Sequence, residues 1–366
     1  MLHNLLFVIS HQPNPRFIKQ INYFSRRGFN VSVVYFERSY LANLNSNIDE
    51  SVKLYLLGAI ENGQYFQRVW VYIKSIFKLK KILHEIQPNK VIVTNVDILF
   101  LLMLNNIKQY ASDIIVEISD LRGYTFNNKI TDKIQQYIDS ILFKRYVSKL
   151  ILTSPKFYEF YYQHKFSGEH FVLENKLLKT MLPKKLSKVK NKIFTIGVVG
   201  LLLDGKPHKA LFEYVKDKAG IEVHIYGTGV YQDQAMEYAQ KYSNIKYFGG
   251  YDFFQDVSKI YASLDVIYMA YDTTKGDLNI NLALPNKLYE AMYFKVPIIT
   301  SQETYLGELV ERYNIGACVK CCDKDSLSNI LSNRNFNDFV ENFDDIEEDK
   351  FIADNDYKKL EQYILE

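Results

Sequence analysis

The sequence predicts an α/β protein built from two domains, each a parallel β-sheet covered by helices. Short, strongly apolar runs recur along both halves of the chain and alternate with segments of helical periodicity. Strands this apolar are typical of parallel sheets that are buried on both faces. The length of 366 residues suits two domains of ordinary size. Residues 181–192 separate the halves, and their lysines, single proline and lack of periodicity are typical of a linker.

From these patterns we predict an N-terminal domain over residues 1–180, the linker over 181–192 and a C-terminal domain over 193–349. A short amphipathic helix is predicted within residues 350–366, and packing back onto the first domain is one placement open to it. Parallel sheets of this kind bind ligands beside the carboxyl ends of their strands. The polar and glycine residues that follow each strand are therefore the first candidates for a functional site.

Composition and charge exclude several classes of function. The formal net charge of +3 is too small to indicate a nucleic-acid partner. The three cysteines, Cys318, Cys321 and Cys322, have no second pair and no nearby histidine, so they make a poor zinc site. No window is apolar for long enough to span a bilayer, and the first ten residues lack the pattern of a signal peptide. We expect a cytoplasmic protein with reduced thiols.

Strands are predicted in the first half at residues 5–10, 31–36, 91–94, 114–118, 150–153 and 171–173. Asn14 and Arg16 lie after the first strand, where a helix begins, and Asp120 and Arg122 follow the strand at 114–118. A charged pair at a strand end is a common catalytic arrangement. A helix cap or a turn is the preferred interpretation for three other residues that follow strands, Asn95, Asp97 and Ser154.

A long amphipathic helix is predicted from Tyr65 to Glu85. One stripe is apolar and aromatic, and the other face carries cations, namely Arg68, Lys74, Lys78 and Lys81. Helices of this kind usually cover a sheet. Helices with an aromatic face and a basic face also lie on anionic membranes. A peripheral contact with the inner face of the membrane is therefore a second interpretation.

The second half repeats the alternation, with strands predicted at residues 193–199, 221–226, 245–248, 265–270, 296–301 and 316–319. Glycine follows three of them directly, as Gly200, Gly227 and Gly249. Glycine at a strand end lets backbone amides approach a phosphate closely. Gly227-Thr228-Gly229 is not the dinucleotide fingerprint, because no third glycine follows at the required spacing. Three such ends indicate a phosphate-containing ligand more strongly than one.

Residues 284–301, LPNKLYEAMYFKVPIITS, combine a loop, a helix opened by a proline and a buried strand. Pro285 suits the first helical position, where its missing N–H would have no partner. Lys287 lies in the first turn, where the helix dipole disfavours a cation by about 0.3–1 kcal/mol. An anion held by Lys287 and the helix N–H groups would offset this cost. Glu290 lies three residues further on the same face, so a local ion pair on a solvated helix is the alternative, and the spacing does not choose between the two.

These features resemble the GT-B glycosyltransferases, and more closely their family-4 type. The resemblance covers most of the chain and is densest from Ile193 to Val319. Its most specific matches are residues 284–291 and 296–301, supported by residues 226–229, 247–251 and 261–266 and, in the first half, by 14–16, Gly28, 153–157 and 173–176. The resemblance implies two Rossmann-like domains that face each other across a cleft. It also implies relatives that assemble bacterial surface or capsular polysaccharides.

Carried over by position, the resemblance implies a nucleotide-sugar site in the second domain. Glu290 would bind the ribose hydroxyls, and Lys287 would hold the diphosphate together with the helix start at Pro285, Asn286 and Leu288. The other donor-side residues implied are Gly200, Lys206, Gly227, Tyr251 and Asn281. Across the cleft, the residues that would face the acceptor and the sugar are Asn14, Arg16, Asp120 and Arg122. Asp120, Arg122 and Lys287 are the implied catalytic residues.

Two positions depart from the family pattern. Leu282 stands where many members carry a second glutamate, eight residues before the ribose-binding one, so the sugar contacts would pass to Asn279 or Asn281. Leucines occupy residues 201–203, close to where an arginine is often found.

The implied reaction is a hexosyltransferase-like transfer from a nucleotide diphosphate sugar, which we predict to be a UDP-sugar, to a hydroxyl of a glycan or lipid-linked glycan. Family resemblance implies retention of the anomeric configuration. No Asp-x-Asp motif stands in a suitable place, so we expect no cofactor and no obligatory metal. Two alternatives stay open: a GT-B nucleotide-sugar epimerase, and a catalytically silent GT-B subunit that binds a partner enzyme.

Overall fold

The computed structural model describes residues 3–38, 44–60, 65–121, 129–190, 192–333 and 335–366. The chain divides into two compact units, the first formed by Met1–Glu174 with Asn355–Glu366 and the second by Asn175–Asp354. Each unit contains one parallel sheet with its own helices. The fold class predicted from the apolar runs, two parallel-sheet domains, is confirmed.

The sheet of unit 1 has seven strands in the order β3-β2-β1-β4-β5-β6-β7, all parallel to their neighbours. Their bounds are β1 Asn4–Ile9, β2 Asn30–Glu37, β3 Lys53–Ala59, β4 Lys90–Thr94, β5 Asp113–Ile118, β6 Lys149–Leu152 and β7 Glu169–Val172. The central strands are buried along almost their whole length, which is why their sequences are continuous apolar runs.

Helices cover both faces of this sheet. They are α1 Pro15–Arg26, α2 Tyr65–Ile86, α3 Asn95–Leu104, α4 Lys129–Tyr146 and α5 Pro155–Phe157. Strand order proceeds one way from β1 to β3 and the other way from β4 to β7. Right-handed crossovers therefore place α1 on one face and α2, α3 and α4 on the other. Within that second layer, α3 contacts both α2 and α4.

The final helix, α14 (Asp354–Leu365), packs on unit 1 beside α1. The Tyr363 hydroxyl donates to the Glu169 carbonyl at 2.7 Å and accepts from the Leu150 N–H at 3.1 Å. The Tyr23 hydroxyl of α1 donates to Glu361 at 2.9 Å. The C-terminal helix is therefore part of unit 1.

The sheet of unit 2 has six parallel strands in the order β10-β9-β8-β11-β12-β13. Their bounds are β8 Phe194–Val199, β9 Ile221–Tyr226, β10 Ile245–Gly249, β11 Val266–Met269, β12 Ile298–Ser301 and β13 Gly316–Val319. The helices are α6 Gly205–Val215, α7 Gln232–Lys241, α8 Phe253–Ala262, α9 Leu278–Leu282, α10 Asn286–Phe294, α11 Tyr305–Arg312, α12 Lys324–Asn333 and α13 Asn337–Asn342. One apolar core lies on each face of the sheet.

The stretch predicted as a linker, residues 181–192, lies within unit 2 and contacts its helices. The Val189 N–H donates to the Ala262 carbonyl at 2.9 Å. The Tyr293 hydroxyl donates to the Pro183 carbonyl at 2.9 Å, and the Lys185 ammonium lies 4.3 Å from the centre of the Tyr293 ring. The stretch is therefore held to unit 2 at several points along its length.

Every strand predicted from an apolar run overlaps a strand of the structure, and one further strand, β3, was missed. β3 is at the edge of its sheet, and of its seven residues only Leu57 is buried. An edge strand pairs on one side and covers less core, so its sequence lacks the continuous apolar run of the central strands.

Candidate functional site at the start of helix α10

The candidate site lies in unit 2, where α10 begins. Pro285 is the N-cap of this helix, with φ −72° and ψ 145°, and Asn286 is the first helical residue. The sequence pattern predicts Pro285 one position later, at the first helical residue. The N-cap requires an extended backbone, which the fixed φ of proline permits. The Pro285 carbonyl accepts from the Leu288 N–H at 3.0 Å and so closes the first turn.

Glu290 is the centre of a buried hydrogen-bond network. The Lys287 ammonium donates to Oε1 and to Oε2 of Glu290, both at 2.9 Å. The Asn286 amide donates to Oε1 at 3.1 Å, and the Tyr261 hydroxyl of α8 donates to Oε2 at 3.0 Å. Only 1% of the Glu290 side chain is exposed. A carboxylate offers about four lone-pair positions, so the protein's own donors engage this one fully.

Lys287 is held as a buried cation. Burial alone lowers the pKa of Lys287, but the negative charge of Glu290 and the hydroxyl of Tyr251 raise that pKa by more, and the net pKa lies above that of an ordinary lysine. The ammonium also lies 5.3 Å from the centre of the Tyr251 ring. Burial, followed by the charge of Glu290, raises the pKa of Tyr261 well above its ordinary value, so this phenol stays a neutral donor.

The pair therefore differs from the solvated ion pair that the sequence offered as an alternative. Both charges are removed from water, since Lys287 is 9% exposed and Glu290 1%. Desolvating two charges is unfavourable, and replacing a buried pair with apolar residues often leaves a protein equally stable or more stable. A buried pair is thus weak evidence for a purely structural role. Lys287, the cation of the pair, also lies in the first turn of α10, where the helix dipole disfavours a positive charge.

Three glycines bring the ends of β8, β9 and β10 together beside this pair. The Gly200 N–H donates to the Tyr226 carbonyl at 2.8 Å, and the Gly227 N–H donates to the Gly249 carbonyl at 2.6 Å. A Cβ on Gly200 would lie 3.4 Å from Cε of Lys287, whereas a Cβ on Gly227 would lie 1.8 Å from the Gly200 carbonyl oxygen. The N–H groups of Gly200 and Gly227 therefore already donate to protein carbonyls. The contribution of these glycines is the absence of a side chain, which leaves room for their neighbours.

Gly227→Ala is expected to lower the free energy of unfolding by at least about 3 kcal/mol, because its new methyl group would overlap backbone atoms that cannot move aside. Gly249→Ala is the matched control. It also has a positive φ, of 77°, but nothing lies within 4 Å of its Cβ position, so only the left-handed backbone penalty of about 1–2 kcal/mol applies. Urea denaturation of both variants measures the difference, and equal losses would contradict the packing role.

Lys206 lies in a second charged cluster, where β8 and β11 end. Its ammonium is 3.1 Å from Oδ2 of Asp272, which is fully buried. The Asp272 N–H donates to Oδ2 of Asp204 at 2.5 Å. Burial raises the pKa of Asp272, but hydrogen bonds from Thr274 and Lys206 outweigh this and lower the pKa to about 2. Lys206 keeps most of its side chain exposed, so its predicted role toward a second phosphate stays a prediction.

The two departures from the family pattern have different surroundings. Leu282 is buried at the end of α9. Asn281, the neighbouring residue proposed to contact the sugar, is half-buried, and its Oδ1 has no hydrogen-bond partner among the described residues. In the leucine run, Leu202 is buried, whereas Leu201 and Leu203 are largely exposed.

The predicted acceptor-side residues of unit 1 have structural partners. Asn14 is the N-cap of α1, and its side chain accepts from the Phe17 N–H at 3.2 Å. Arg16 is buried, with Nε 2.6 Å from Oε1 of Glu117. Its Nη2 donates to the Leu173 carbonyl at 3.1 Å. Their roles toward an acceptor stay predictions, and both residues already hold unit 1 together.

The predicted catalytic pair of unit 1 is described only in part. Asp120 is exposed two residues after the end of β5. Arg122 lies outside the described residues. The structure therefore does not show the two side chains together.

Several buried polar residues that bear on the site were missed from the sequence. Glu117 interrupts an apolar strand, and its full burial requires the contacts it accepts from Arg16 and Gln20. The charge inside an apolar run was the signal available. Tyr261 gave no such signal, because an aromatic residue in a helix is most simply read as core. Asp272 follows β11 as Asp120 follows β5, and that position could have identified it.

In the part of the chain that the structure describes, no three His, Cys, Asp or Glu side chains are placed together to bind a metal ion. Cys318, Cys321 and Cys322 are free cysteines. None of the helices there combines the length and the hydropathy needed to cross a bilayer. The expectation of a reaction without an obligatory metal stays a prediction.

Two parallel-sheet units with this order of elements define the GT-B fold, and solved structures of similar fold are glycosyltransferases. Sucrose-phosphate synthase from Thermosynechococcus elongatus has a TM-score of 0.71 at 12% identity, with 98% of each chain covered. HepE from Anabaena, in complex with UDP-glucose, has a TM-score of 0.70 at 13% identity, with 98% of each chain covered. The lipopolysaccharide outer core galactosyltransferase WaaB has a TM-score of 0.65 at 14% identity, with 99% of each chain covered.

Residues 194–333, which include all the strands of unit 2, match the family model described as Glycosyl transferases group 1. The match includes the Lys287–Glu290 pair and the glycine strand ends. No curated protein matches the chain in sequence. Unit 2 therefore resembles a group 1 glycosyltransferase domain, and this match together with the GT-B fold supports a glycosyltransferase.

Proposed function

We propose that the chain transfers a glycosyl unit from a UDP-sugar to a hydroxyl of a glycan or lipid-linked glycan, with retention of the anomeric configuration, in the synthesis of a cell-surface polysaccharide. The buried Lys287–Glu290 pair at the start of α10 carries the proposal. It lies within the segment that matches group 1 glycosyltransferases. The UDP-glucose complex of HepE and the lipopolysaccharide substrate class of WaaB support the choice of donor and acceptor.

The proposed role of the pair is an exchange of partners on donor binding. Glu290 accepts two of its four hydrogen bonds from Lys287. Two vicinal ribose hydroxyls are donors that can replace them at the carboxylate. The Lys287 ammonium is then free to contact the diphosphate. Lys287 precedes Glu290, the residue that contacts the ribose, by three residues in the same helix. The N-terminus of α10 favours the same anion through its dipole.

In the reaction, the bond between the anomeric carbon and the diphosphate oxygen breaks, and the nucleoside diphosphate leaves with the electron pair. The acceptor oxygen forms the new bond to the anomeric carbon, and its proton passes to a base on the acceptor side, for which the carboxylate of Asp120 is proposed. Negative charge on the leaving oxygen grows as the bond breaks, so a fixed cation stabilises the transition state more than the ground state. Lys287 supplies this cation. Asp120 is the acidic residue proposed on the acceptor side, and Arg122 is its proposed partner.

A screen of nucleotide sugars by thermal shift tests the proposal. A UDP-sugar at about 100 times its Kd is expected to raise the Tm of unit 2 by roughly 5 °C or more, because ligand binding at that ratio adds about 2.7 kcal/mol of stability. GDP-sugars and ADP-sugars at the same concentration serve as controls for the base. A response to a different base would correct the donor, and no response to any nucleotide sugar would contradict the proposal.

Two alternatives are separated by turnover. A nucleotide-sugar epimerase would interconvert nucleotide sugars without an acceptor. A catalytically silent subunit would show no turnover with any donor and would co-purify with an active transferase. Leu282, in the place of the family's second glutamate, and Leu203, in the run of leucines close to where an arginine is often found, favour the silent subunit. Transfer to a glycan or lipid-linked acceptor, with a product of unchanged anomeric configuration, would exclude both alternatives.

We place this reaction in the cytoplasm, on the inner face of the membrane. The three cysteines, an odd number, are typical of a protein whose thiols stay reduced, which is the condition of the cytoplasm. A lipid-linked acceptor would require the enzyme to work at the bilayer surface. Apart from the donor and acceptor, a protein partner is proposed only for the silent-subunit alternative.

A further inference from the structure

Helix α2 exposes large apolar side chains along its N-terminal half. Val69, Trp70, Ile73 and Phe77 lie on one side of the helix, and 64% of Trp70 and 67% of Phe77 are exposed. The opposite side carries the buried residues Ser75, Leu79, Ile82 and Ile86. The helix therefore covers the sheet with one face and presents a second apolar face to solvent, which a helix that merely covers a sheet does not need.

Contacts with the sheet fix this orientation. The Tyr72 ring lies 5.3 Å from the ring of Phe36 in β2. Val71 packs over β3 at Gly58, where a Cβ would come within 2.9 Å of Val71 Cγ1. With these neighbours turned inward, Trp70 and Ile73 cannot rotate into the core. The orientation of α2 on the sheet therefore keeps the side chains of Trp70 and Ile73 exposed.

The neighbouring helices continue the apolar face. In α4 a stripe at helical spacing is exposed, formed by Ile134, Tyr137, Ile138 and Ile141. In α3, which contacts both α2 and α4, Phe100 and Leu104 are exposed one turn apart. We call this set of ten exposed side chains on α2, α3 and α4 the α2–α4 face. Soluble proteins rarely expose so many large apolar side chains on adjacent helices unless the surface binds something.

The α2–α4 face is also basic. Exposed cations on and directly after its three helices are Lys74, Lys78, Lys80, Lys81, Lys108, Lys133, Lys144 and Arg145. Among the described side chains of the same helices, the exposed acids are Glu85 and Asp97. Glu85 accepts a hydrogen bond from the Tyr55 hydroxyl at 2.8 Å, which occupies one acceptor position of this carboxylate. The surface thus combines apolar and aromatic side chains with a clear excess of positive charge.

We propose that the α2–α4 face binds the surface of an anionic phospholipid bilayer. Lysine and arginine attract anionic headgroups, and apolar side chains enter the boundary between headgroups and acyl chains. Tryptophan and tyrosine favour that boundary because each has an apolar body and a polar end. Trp70 and Tyr137 stand on the two outer helices of the face. The inference concerns unit 1 alone and does not depend on the proposed sugar transfer.

Two other occupants fit less well. A second copy of the chain docked symmetrically on the same face would bring two sets of cations together, and like charges repel. A protein partner would need an apolar surface and a large excess of acids. An anionic bilayer offers an apolar region and negatively charged headgroups over an area much larger than the protein. One flat surface can therefore contact all three helices at once.

Trp70 provides a direct measurement, because it is the only tryptophan in the chain. With vesicles that contain about one third phosphatidylglycerol in phosphatidylcholine, its emission is expected to shift to the blue, and acyl-chain bromination of the lipid is expected to quench it. Neutral phosphatidylcholine vesicles are expected to give a much smaller shift. Added salt is expected to weaken binding to the anionic vesicles, because it screens the attraction of the lysines.

Two variants that keep Trp70 test whether the three helices act as one surface. Lys78→Glu/Lys81→Glu is expected to lower the partition coefficient on anionic vesicles at least about tenfold. Ile138→Asp/Ile141→Asp changes α4 only and is expected to abolish the shift of Trp70 in α2. Met236→Asp, at an exposed apolar position of α7 in unit 2, is the control and is expected to bind vesicles normally. All are surface changes, and equal Tm values check that each variant is folded.

An unchanged Trp70 emission with anionic vesicles would overturn the proposal, as would wild-type binding by both double variants. A blue shift that appears without vesicles, grows with protein concentration and accompanies a dimer mass would assign the face to self-association instead. Donor binding by unit 2 is measured in the same variants. Its retention when vesicle binding is lost separates the failure of this inference from the failure of the proposed function.

Discussion

Glu290→Gln is expected to lower the affinity for the UDP-sugar donor by about tenfold to a hundredfold, the range for the loss of hydrogen bonds to a charged group. Glutamine keeps the size of the side chain and can still accept from Tyr261, which donates at 3.0 Å to Glu290. Its amide group is a donor on one side, so it cannot accept from both ribose hydroxyls. Isothermal titration calorimetry with the donor identified by thermal shift measures the change.

Glu290→Ala is a poorer test of binding, because alanine removes every acceptor that Lys287 and Tyr261 use, whereas glutamine keeps one acceptor oxygen. Both variants leave Lys287 buried without its anion, and breaking a buried pair from one side costs about 3–5 kcal/mol. The double variant Lys287→Met/Glu290→Gln removes both charges and is expected to recover much of that stability without recovering donor binding. Wild-type donor affinity in this double variant would show that the pair is structural and has no part in binding.

Lys287→Met is expected to reduce kcat by about a hundredfold to a thousandfold, the usual effect of removing one group that stabilises charge in the transition state. The KM for the donor is expected to change much less, because the charge on the diphosphate oxygen grows as the glycosidic bond breaks. Steady-state kinetics with a saturating acceptor measure the two effects separately.

Lys295→Met is the matched control for this variant. Lys295 follows the same helix at its other end and pairs with Asp344 on an exposed surface. Its loss is expected to leave kcat unchanged, since exposed pairs contribute little. If Lys287→Met raised KM in proportion to the loss of kcat/KM and left kcat at the wild-type value, Lys287 would bind the ground state only, and its assigned catalytic role would be wrong.

Local sequence pattern predicted most of the fold. The apolar runs of β1, β4, β5 and β8 reflect burial on both sides, and a parallel sheet requires that burial. The start of helix α1 was predicted at Asn14 and Arg16, after the first strand, and the structure shows Asn14 as the N-cap. The edge strand β3 escaped, because a strand paired on one side needs fewer apolar residues.

The sequence predicted the functional residues less completely than it predicted the fold. Lys287 and Glu290 were identified because a cation in the first turn of a helix contradicts a local rule, and such contradictions often mark sites. Arg16 was selected on position alone, and the structure pairs it with Glu117, 101 residues further along the chain. The apolar stripe of α2 was recognised, but a helical period cannot say which of two apolar faces meets the sheet.

The sequence by itself determined that Lys287 and Glu290 share one face of a helix, because residues three apart in a helix are neighbours whatever surrounds them. Only the tertiary structure decided that the pair is buried and what completes it. Tyr261, 29 residues earlier, reaches Glu290 from α8, and Tyr251 approaches Lys287 from the loop after β10. These contacts depend on how strands order in a sheet and how helices pack over it. Periodicity encodes which side of an element is apolar, but it does not encode which distant element that side will meet.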